Sequence, residues 1–388
     1  MSLSVGILTH STNPRGGVVH GMALAEALCD AGYEATLIAP DVTGAGFFRK
    51  PRCATRYIPA VAEQHLPSLV ERRIGEISAA LRHNAQYDVL HAQDPLSANA
   101  LADLVAEGQI AGFARTVHHL DNFSDPGVAA RQVRGLAAAD ELFTVSQLWQ
   151  DTLLTDYGRH APVVGNGVDL THFSAQIKPE DYQLRSRYGL PEHTPFILSV
   201  GGVERRKNTL LLLEAFEAIR QDKPDLHLVI AGGASLLNHT DYRRLFDERV
   251  QSAGLEKAVT VTGTIADDDM PALYRQASVL AYPSQTEGFG LCPLEAMACG
   301  TPVIVPALRP FTEHFEGDEV FWCDPRHLAT LVHALRAALS AVAQERFKVS
   351  DPATACRFAW HHVARRHFLA YGRLAALSRA GVHASGVL

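Results

Sequence analysis

Two glutamates, Glu287 and Glu295, stand eight residues apart in "EGFGLCPLE", with Gly288 and Gly290 after the first. Pro293 suits the first turn of a helix and Gly300 its end. This spacing places Glu295 in a first helical turn and Glu287 in the loop before it. The N–H groups of Phe289, Gly290 and Leu291 are then open to an anion. Two carboxylates cannot themselves bind phosphate. They can accept hydrogen bonds from hydroxyls on either side of it, as in a ribose and a sugar. Favourable placement in the helix dipole would account for Glu295 alone; it gives no reason for Glu287 or the glycines.

A second candidate is basic. Arg205, Arg206 and Lys207 lie in "SVGGVERRKNTLLLLEAF", between a strand-like run and a helical one. A loop at a strand's carboxyl end is where cations can hold phosphate. A run of three charges is ordinarily a solvated surface, but the glycine pair before it weakens that explanation. Gly16 and Gly17, in "THSTNPRGGVVHG", precede a helix after the first strand. Glycines there let the backbone approach a ligand, although the pattern is not GxGxxG and a plain turn accounts for it equally well.

Histidines and aspartates are the remaining chemical candidates. His118 and His119 close a strand, where neighbours point to opposite faces, so they would not share a metal ion with Asp121. His361, His362 and His367 lack a good i, i+4 pair and read as surface or interdomain residues. Asp267–Asp269 resemble a DxD metal motif, but before "PALYRQA" they read more simply as the acidic start of a helix. No metal and no cofactor is expected.

These residues need a scaffold. Apolar runs of strand length ("SVGILT", "EATLIAP", "DVLHA", "ARTVHH", "ELFTVS") alternate with helical patterns, and the rhythm restarts at "PFILSVGG" through "HLVIAGG", "AVTVTG", "SVLAYP" and "TPVIVP". Strand–helix–strand repetition implies parallel α/β sheets that bind ligands at the carboxyl ends of their strands. The 388 residues, 47% hydrophobic, are enough for two cores. The expected domains are residues 1–168 and 173–360, two doubly wound Rossmann-like domains facing across a cleft, with a terminal helix over 361–388 crossing back to the first. That helix is expected to begin after a boundary near Asp351–Pro352. A net charge of −7 argues against nucleic acid as a partner, and the six cysteines, with no CxxC pair, read as free thiols in a reducing compartment. No apolar run is long enough for a transmembrane segment and the amino terminus reads as a strand, so the expectation is a cytoplasmic protein. "LVERRIGEISAALRH" is mixed in charge and leaves room for peripheral membrane contact.

Taken together, the motifs resemble those of family 4 retaining glycosyltransferases of GT-B fold. "EGFGLCPLEAMACGTPVIV" looks like the family's E-x7-E signature, "PRGGVVHGMALAEAL" like its Gly-Gly loop, and "GGVERRKN" like its basic phosphate loop. "DVLHAQDP", "ARTVHHLD", "VVGNGVDLTHF" and "RFAWHHVARRHFLAYGRL" extend the likeness over nearly the whole chain, and "STNPRGGVVH" resembles a bacterial subgroup. The resemblance implies transfer of a hexose from a nucleotide diphosphate sugar with retention of configuration. A UDP-sugar is expected before GDP-mannose, the basic loop in place of a metal cluster points to metal independence, and the mixed charge of "LVERRIGEISAALRH" favours a small acceptor. It implies that Glu295 holds the ribose and Glu287 the sugar, with Gly288 and the Phe289–Leu291 amides by the diphosphate. Arg206 and Lys207 would neutralise the leaving phosphate, His118 would contact the transferred sugar, Gly17 would admit the diphosphate, and Ile265 would lie by the base. Many members carry Arg where Gly202 stands, so Arg206 or Arg205 must supply the second positive charge. A nucleotide-sugar epimerase and a catalytically silent nucleotide-sugar-binding protein are the rival readings.

Overall fold

The computed structural model describes residues 3–82, 84, 86–233 and 240–385. Residues 1, 2, 83, 85, 234–239 and 386–388 of the expected domains, His83 of the mixed-charge stretch among them, lie outside these. The chain divides into two compact units, one formed by Met1–Gly167 with Trp360–Leu388 and the other by Val168–Ala359.

In the first unit β1 (Ser4–Leu8), β2 (Glu34–Asp41), β3 (Ala54–Pro59), β4 (Val89–Ala92), β5 (Ala114–Val117) and β6 (Glu141–Thr144) form a sheet ordered β3-β2-β1-β4-β5-β6. In the second, β7 (Phe196–Val200), β8 (His227–Ala231), β9 (Val259–Gly263), β10 (Val279–Ala281), β11 (Val303–Pro306) and β12 (Phe321–Cys323) are ordered β12-β11-β10-β7-β8-β9. Every pairing is parallel, in registers such as Ile7↔His91 and Leu280↔Leu198. The two orders are the same topology, and each reverses beside its first strand. The reversal leaves a crevice at the carboxyl ends of β1 and β4, and another at those of β7 and β10. This is the two-Rossmann-domain architecture of the GT-B fold.

The strands are apolar because both faces are covered. Val5 and Ile7 pack under the helix Gly16–Asp30, whose Met22, Ala25 and Leu28 are buried, while Leu8, Leu90 and Val117 face a second cluster with Ile74, Ile77 and Leu101. In the second unit Ile197, Leu228, Ile230 and Val279 pack with Leu212, Phe216, Leu331 and Leu335.

Two expectations change, and a third gains detail. The helix Ala341–Ala355 runs through Pro352 instead of breaking there, and the last helix starts at Trp360. His367 is fully buried, not superficial, because it lies on the stripe of Val363, Tyr371 and Leu374. Asp267–Asp269 form the acidic start that was expected, a 3-10 turn running directly into the helix Met270–Gln276, although Asp269 at its N-cap makes no side-chain capping bond. Instead Asp269 binds Arg187 and the Tyr188 hydroxyl, and Asp267 binds His172, so these acids fasten the segment after Gly167 onto its own unit. Among the described residues, no helix is long and apolar enough to cross a membrane.

Candidate active site

In the second unit the loops after β7 and β10 carry the candidates. Gly201 and Gly202 follow β7, both at positive φ. A Cβ on Gly201 would stand 2.5 Å from Lys207 Cε, and one on Gly202 would stand 2.9 Å from the Gly233 carbonyl oxygen. Glycine at 201 is therefore what lets Lys207 fold inward, and this backbone has no room for a side chain at 202. The chain then turns through Asn208, in the left-handed region, into the helix Thr209–Arg220.

Lys207 is not a surface charge: it is 6% exposed. Its Nζ donates to Glu287 Oε1 at 2.8 Å and to the Tyr282 hydroxyl, and lies 4.2 Å from the Tyr282 ring centroid. Arg206 Nη1 donates to the same Oε1 at 2.8 Å, yet its side chain remains 46% exposed. Arg205 does not join them. Its guanidinium lies over Tyr242 at 5.2 Å, so Arg206 is the second cation. Burial pushes the Glu287 carboxyl up, but the Lys207 and Arg206 charges outweigh it and hold it below the ordinary carboxylate range.

After Glu287 the backbone passes through Gly290 at φ 98° into the helix Leu291–Ala298. A Cβ at Gly290 would strike the Phe311 ring at 2.5 Å. The Phe289 side chain turns inward, its ring 4.0 Å from that of His314, so only its backbone can meet a ligand. No acceptor among the described residues takes the N–H of Gly288, Phe289, Gly290 or Leu291. The result is an uncapped helix start beside two cations, a ready anion cradle.

Because the helix begins at Leu291, Glu295 lies in its second turn, not its first. Its Oε2 accepts from the Tyr274 hydroxyl at 2.7 Å. Burial, with the nearby Asp267 charge, pushes its carboxyl up to about 7. Cys292 lies within the field of both glutamates, and burial pushes its thiol up to about 12. Ile265, after β9, is buried. Tyr274 and Tyr282 went unremarked in the sequence reading. The signal was slight: each is a tyrosine at the edge of an apolar run, "PALYRQA" and "SVLAYP".

In the first unit His118 follows β5, and Gly16 and Gly17 open the helix after β1. A Cβ on Gly17 would come within 3.4 Å of both the Gln93 carbonyl oxygen and His118 Cδ2, so glycine lets the helix start press against this histidine; at Gly16 the space is open. His20 is fully buried with its ring 4.7 Å from that of His118. His91 binds the Tyr371 hydroxyl at 2.7 Å and Thr116 Oγ1 at 2.8 Å, and His367 lies 5.5 Å from it ring to ring. Burial above all lowers every one of these rings, His20 to about 3, His367 to about 4, and His91 and His118 well below the ordinary value.

The unfolded chain protonates such histidines near 6.5, whereas the fold refuses the proton down to about 3 or 4 at His20 and His367. Their contribution is complete above 6.5 and declines as pH falls through it. The expected loss at pH 5 is about 2 kcal/mol for each of these two histidines. Denaturant titrations at pH 7.5 and 5 measure it; equal midpoints would mean the rings protonate inside the fold.

A parallel two-sheet scaffold with an anion cradle at a topological switch point defines a class, the GT-B transferases, and comparison with known proteins agrees. Residues 14–172 match the model of Glycosyltransferase Family 4, and residues 181–348 that of Glycosyl transferases group 1. The D-inositol 3-phosphate glycosyltransferase of Salinispora arenicola is 30% identical over 328 residues, 76% of this chain and 71% of that one. The mannosylfructose-phosphate synthase of Agrobacterium fabrum is 31% identical over 43% of this chain, and the match spans only 38% of that protein's length. A D-inositol 3-phosphate glycosyltransferase 1 of Catenulispora acidiphila, 31% identical over 65% of this chain, is matched over 64% of its length. Among solved structures, sucrose-phosphate synthase from Thermosynechococcus elongatus superimposes with a TM-score of 0.78 at 22% identity, covering 97% of this chain and 100% of that one. Anabaena HepE in complex with UDP and glucose gives 0.75 at 18% identity over 95% and 99% of the two chains. The chain belongs to the family 4 glycosyltransferases of GT-B fold.

Proposed function

We propose that the protein moves a hexose from a nucleoside diphosphate sugar to a small polyhydroxy acceptor, with retention of configuration and without a metal ion. The observation that carries this reading is the Arg206–Lys207–Glu287 cluster beside the open amides of Gly288–Leu291. The amides and the two cations receive the diphosphate and take up the charge that grows on it as it leaves. Glu295 accepts hydrogen bonds from the ribose and Glu287 meets the transferred sugar; in the first unit His118 is the sugar-facing group. Glu287 already accepts from both cations, which makes it a poor nucleophile. This supports attack by the acceptor hydroxyl from the face the phosphate leaves. The new glycosidic C–O bond forms as the C–O bond to phosphate breaks. The electron pair stays with the phosphate, and a phosphate oxygen takes the acceptor's proton.

The uridine donor is favoured over GDP-mannose. HepE, solved with UDP and with UDP-glucose, supports that choice by analogy. The printed names of several relatives, a mannosylfructose-phosphate synthase and D-inositol 3-phosphate glycosyltransferases, support a small polyhydroxy acceptor.

A thermal-shift panel of nucleotide sugars identifies the donor, since a ligand of the folded state raises the transition. Proton NMR of the first product, formed in the presence of a chelator, then reads metal need and stereochemistry together. The expected result is undiminished turnover with the donor's anomeric configuration kept. An inverted product would overturn the retaining assignment. Turnover lost in chelator and restored by a divalent ion would overturn metal independence and direct attention to His172, Asp267 and Asp268, whose ligand atoms lie within 4.8 Å of one another.

A further inference from the structure

We propose that Gln93 is a positioning residue, whose side-chain oxygen takes the Nε2–H of His118 and leaves the Nδ1 lone pair as the face this histidine offers to the transferred sugar. The proposal rests on the reading of His118 as a sugar-facing group. Gln93 is the first residue after β4, at the point where the first sheet reverses its order. It is 2% exposed, its N–H donates to the Leu8 carbonyl at 2.9 Å, and its Oε1 lies 3.1 Å from His118 Nε2.

The side chain has little freedom. A Cβ on Gly21 would stand 3.1 Å from Gln93 Cγ, and one on Gly17 would stand 3.4 Å from the Gln93 carbonyl oxygen. Gly17 and Gly21 are one helical turn apart, so the helix Gly16–Asp30 turns a bare face to Gln93 and His118 and holds both. Gln93 Nε2 points to the His91 ring, 3.4 and 3.5 Å from its nitrogens. His118 Nδ1 has no partner among the described residues and is not among the buried unpaired atoms.

A neutral imidazole bonded in this way donates at one nitrogen and accepts at the other. With Nε2–H spent on Gln93, Nδ1 accepts a hydrogen bond from a sugar hydroxyl. In the opposite tautomer, or in the charged ring, that position would carry a proton and repel the hydroxyl's hydrogen. Burial above all keeps the ring neutral, and any charge on His20 from the helix Gly16–Asp30, on His119 after its own strand, on His91 from β4 or on Arg115 from its own strand disfavours its proton further. His20 is fixed in turn. Asn166 Oδ1 accepts from the Gly167 N–H at 3.0 Å, so it also accepts from His20 Nδ1 at 3.1 Å, leaving His20 Nε2 unprotonated near His118.

Long-range nitrogen–proton spectra of the whole chain labelled with 15N-histidine test this, with His118 assigned by its loss in His118→Asn. The wild type is expected to show the Nε2–H tautomer, and Gln93→Met, close in length but without the acceptor, a mixture. In kinetics Gln93→Met should lower kcat about tenfold, the scale of one neutral hydrogen bond, with the thermal shift given by UDP unchanged. Gln93→Glu should restore the tautomer and move the acid limb of the pH–rate profile upward by a unit or more, because a carboxylate favours the charged ring. The Nδ1–H tautomer in wild type, or an unchanged tautomer in Gln93→Met, overturns the proposal. So do equal losses in both variants with no pH shift, which is what packing alone would give. His118→Asn with wild-type kcat would instead overturn the sugar-facing reading, while the spectra would still report what Gln93 does.

Discussion

Lys207→Met is expected to lower kcat/KM by about one to two orders of magnitude and also to destabilise the fold. The catalytic part follows from position. Lys207 donates to Glu287 from the floor of the anion cradle, and a charge-assisted hydrogen bond of roughly 1.5–3 kcal/mol corresponds to about 10- to 100-fold in rate. The structural part follows from burial. Removing one partner of a buried ion pair leaves the other charge without compensation, typically at about 3–5 kcal/mol. Here the half-exposed Arg206 still reaches Glu287, so the lower end is expected. Methionine keeps the stem that packs on Tyr282, which isolates the charge. The second change that separates the two effects is Glu287→Gln. Added to Lys207→Met, it removes the stranded carboxylate, so much of the lost stability should return while transfer stays low. The pH response has a definite sign. Glu287 is held below its ordinary range, so its contribution is complete above that range and is lost as pH falls through its lowered value. Without Lys207 that loss should begin at higher pH. Steady-state kinetics and chemical denaturation of the three variants measure all of this. A kcat/KM for Lys207→Met equal to wild type would remove Lys207 from the chemistry.

The fold was largely legible because strands covered on both faces must be apolar throughout, and such runs stand out between helical patterns. β3 and β12 escaped for the complementary reason. Each is the outermost strand of its sheet; "ATRYIP" is mostly exposed or half-buried, and "FWC" is three residues long. The composition of the donor site was legible, its geometry less so. Glycines before a cation run marked a loop, but only the approach of Gly201 to Lys207 and the arrival of Tyr282 from β10 turn that lysine inward. Proline tolerates any position of a first turn, so Pro293 could not fix the helix start to the residue, and Glu295 shifted by a turn. His367 is the case where a signal was present and was not used. Val363, His367, Tyr371 and Leu374 follow helical spacing, and a histidine in such a stripe is buried with the rest.

Binding of the donor is expected to weaken about tenfold for each pH unit below 7, and Glu295→Gln should abolish that dependence. The Glu295 carboxyl titrates near 7 because burial and the Asp267 charge disfavour its ionised form more than the Tyr274 hydroxyl favours it. An ionised carboxylate accepts hydrogen bonds from both hydroxyls of a ribose, whereas the protonated acid has one oxygen committed as a donor. Ribose binding therefore selects the ionised form and draws the proton off, so affinity is full above 7 and falls below it. The empty protein follows the same linkage in the opposite sense. A folded carboxyl raised above its unfolded value of 4.5 favours the fold most below 4.5, and that advantage is lost as pH rises through 7. The thermal shift produced by a nucleoside diphosphate should accordingly be larger at pH 8 than at pH 6, and 2′-deoxy nucleotides should lose most of the difference. Glu295→Gln should raise donor KM with kcat little changed, because the ribose contact is the same before and during transfer. Glu287→Gln, at the moving sugar, should lower kcat instead. Donor affinity that is flat between pH 6 and 8 in the wild type, or a Glu295→Gln variant that loses kcat rather than affinity, would take the ribose away from Glu295.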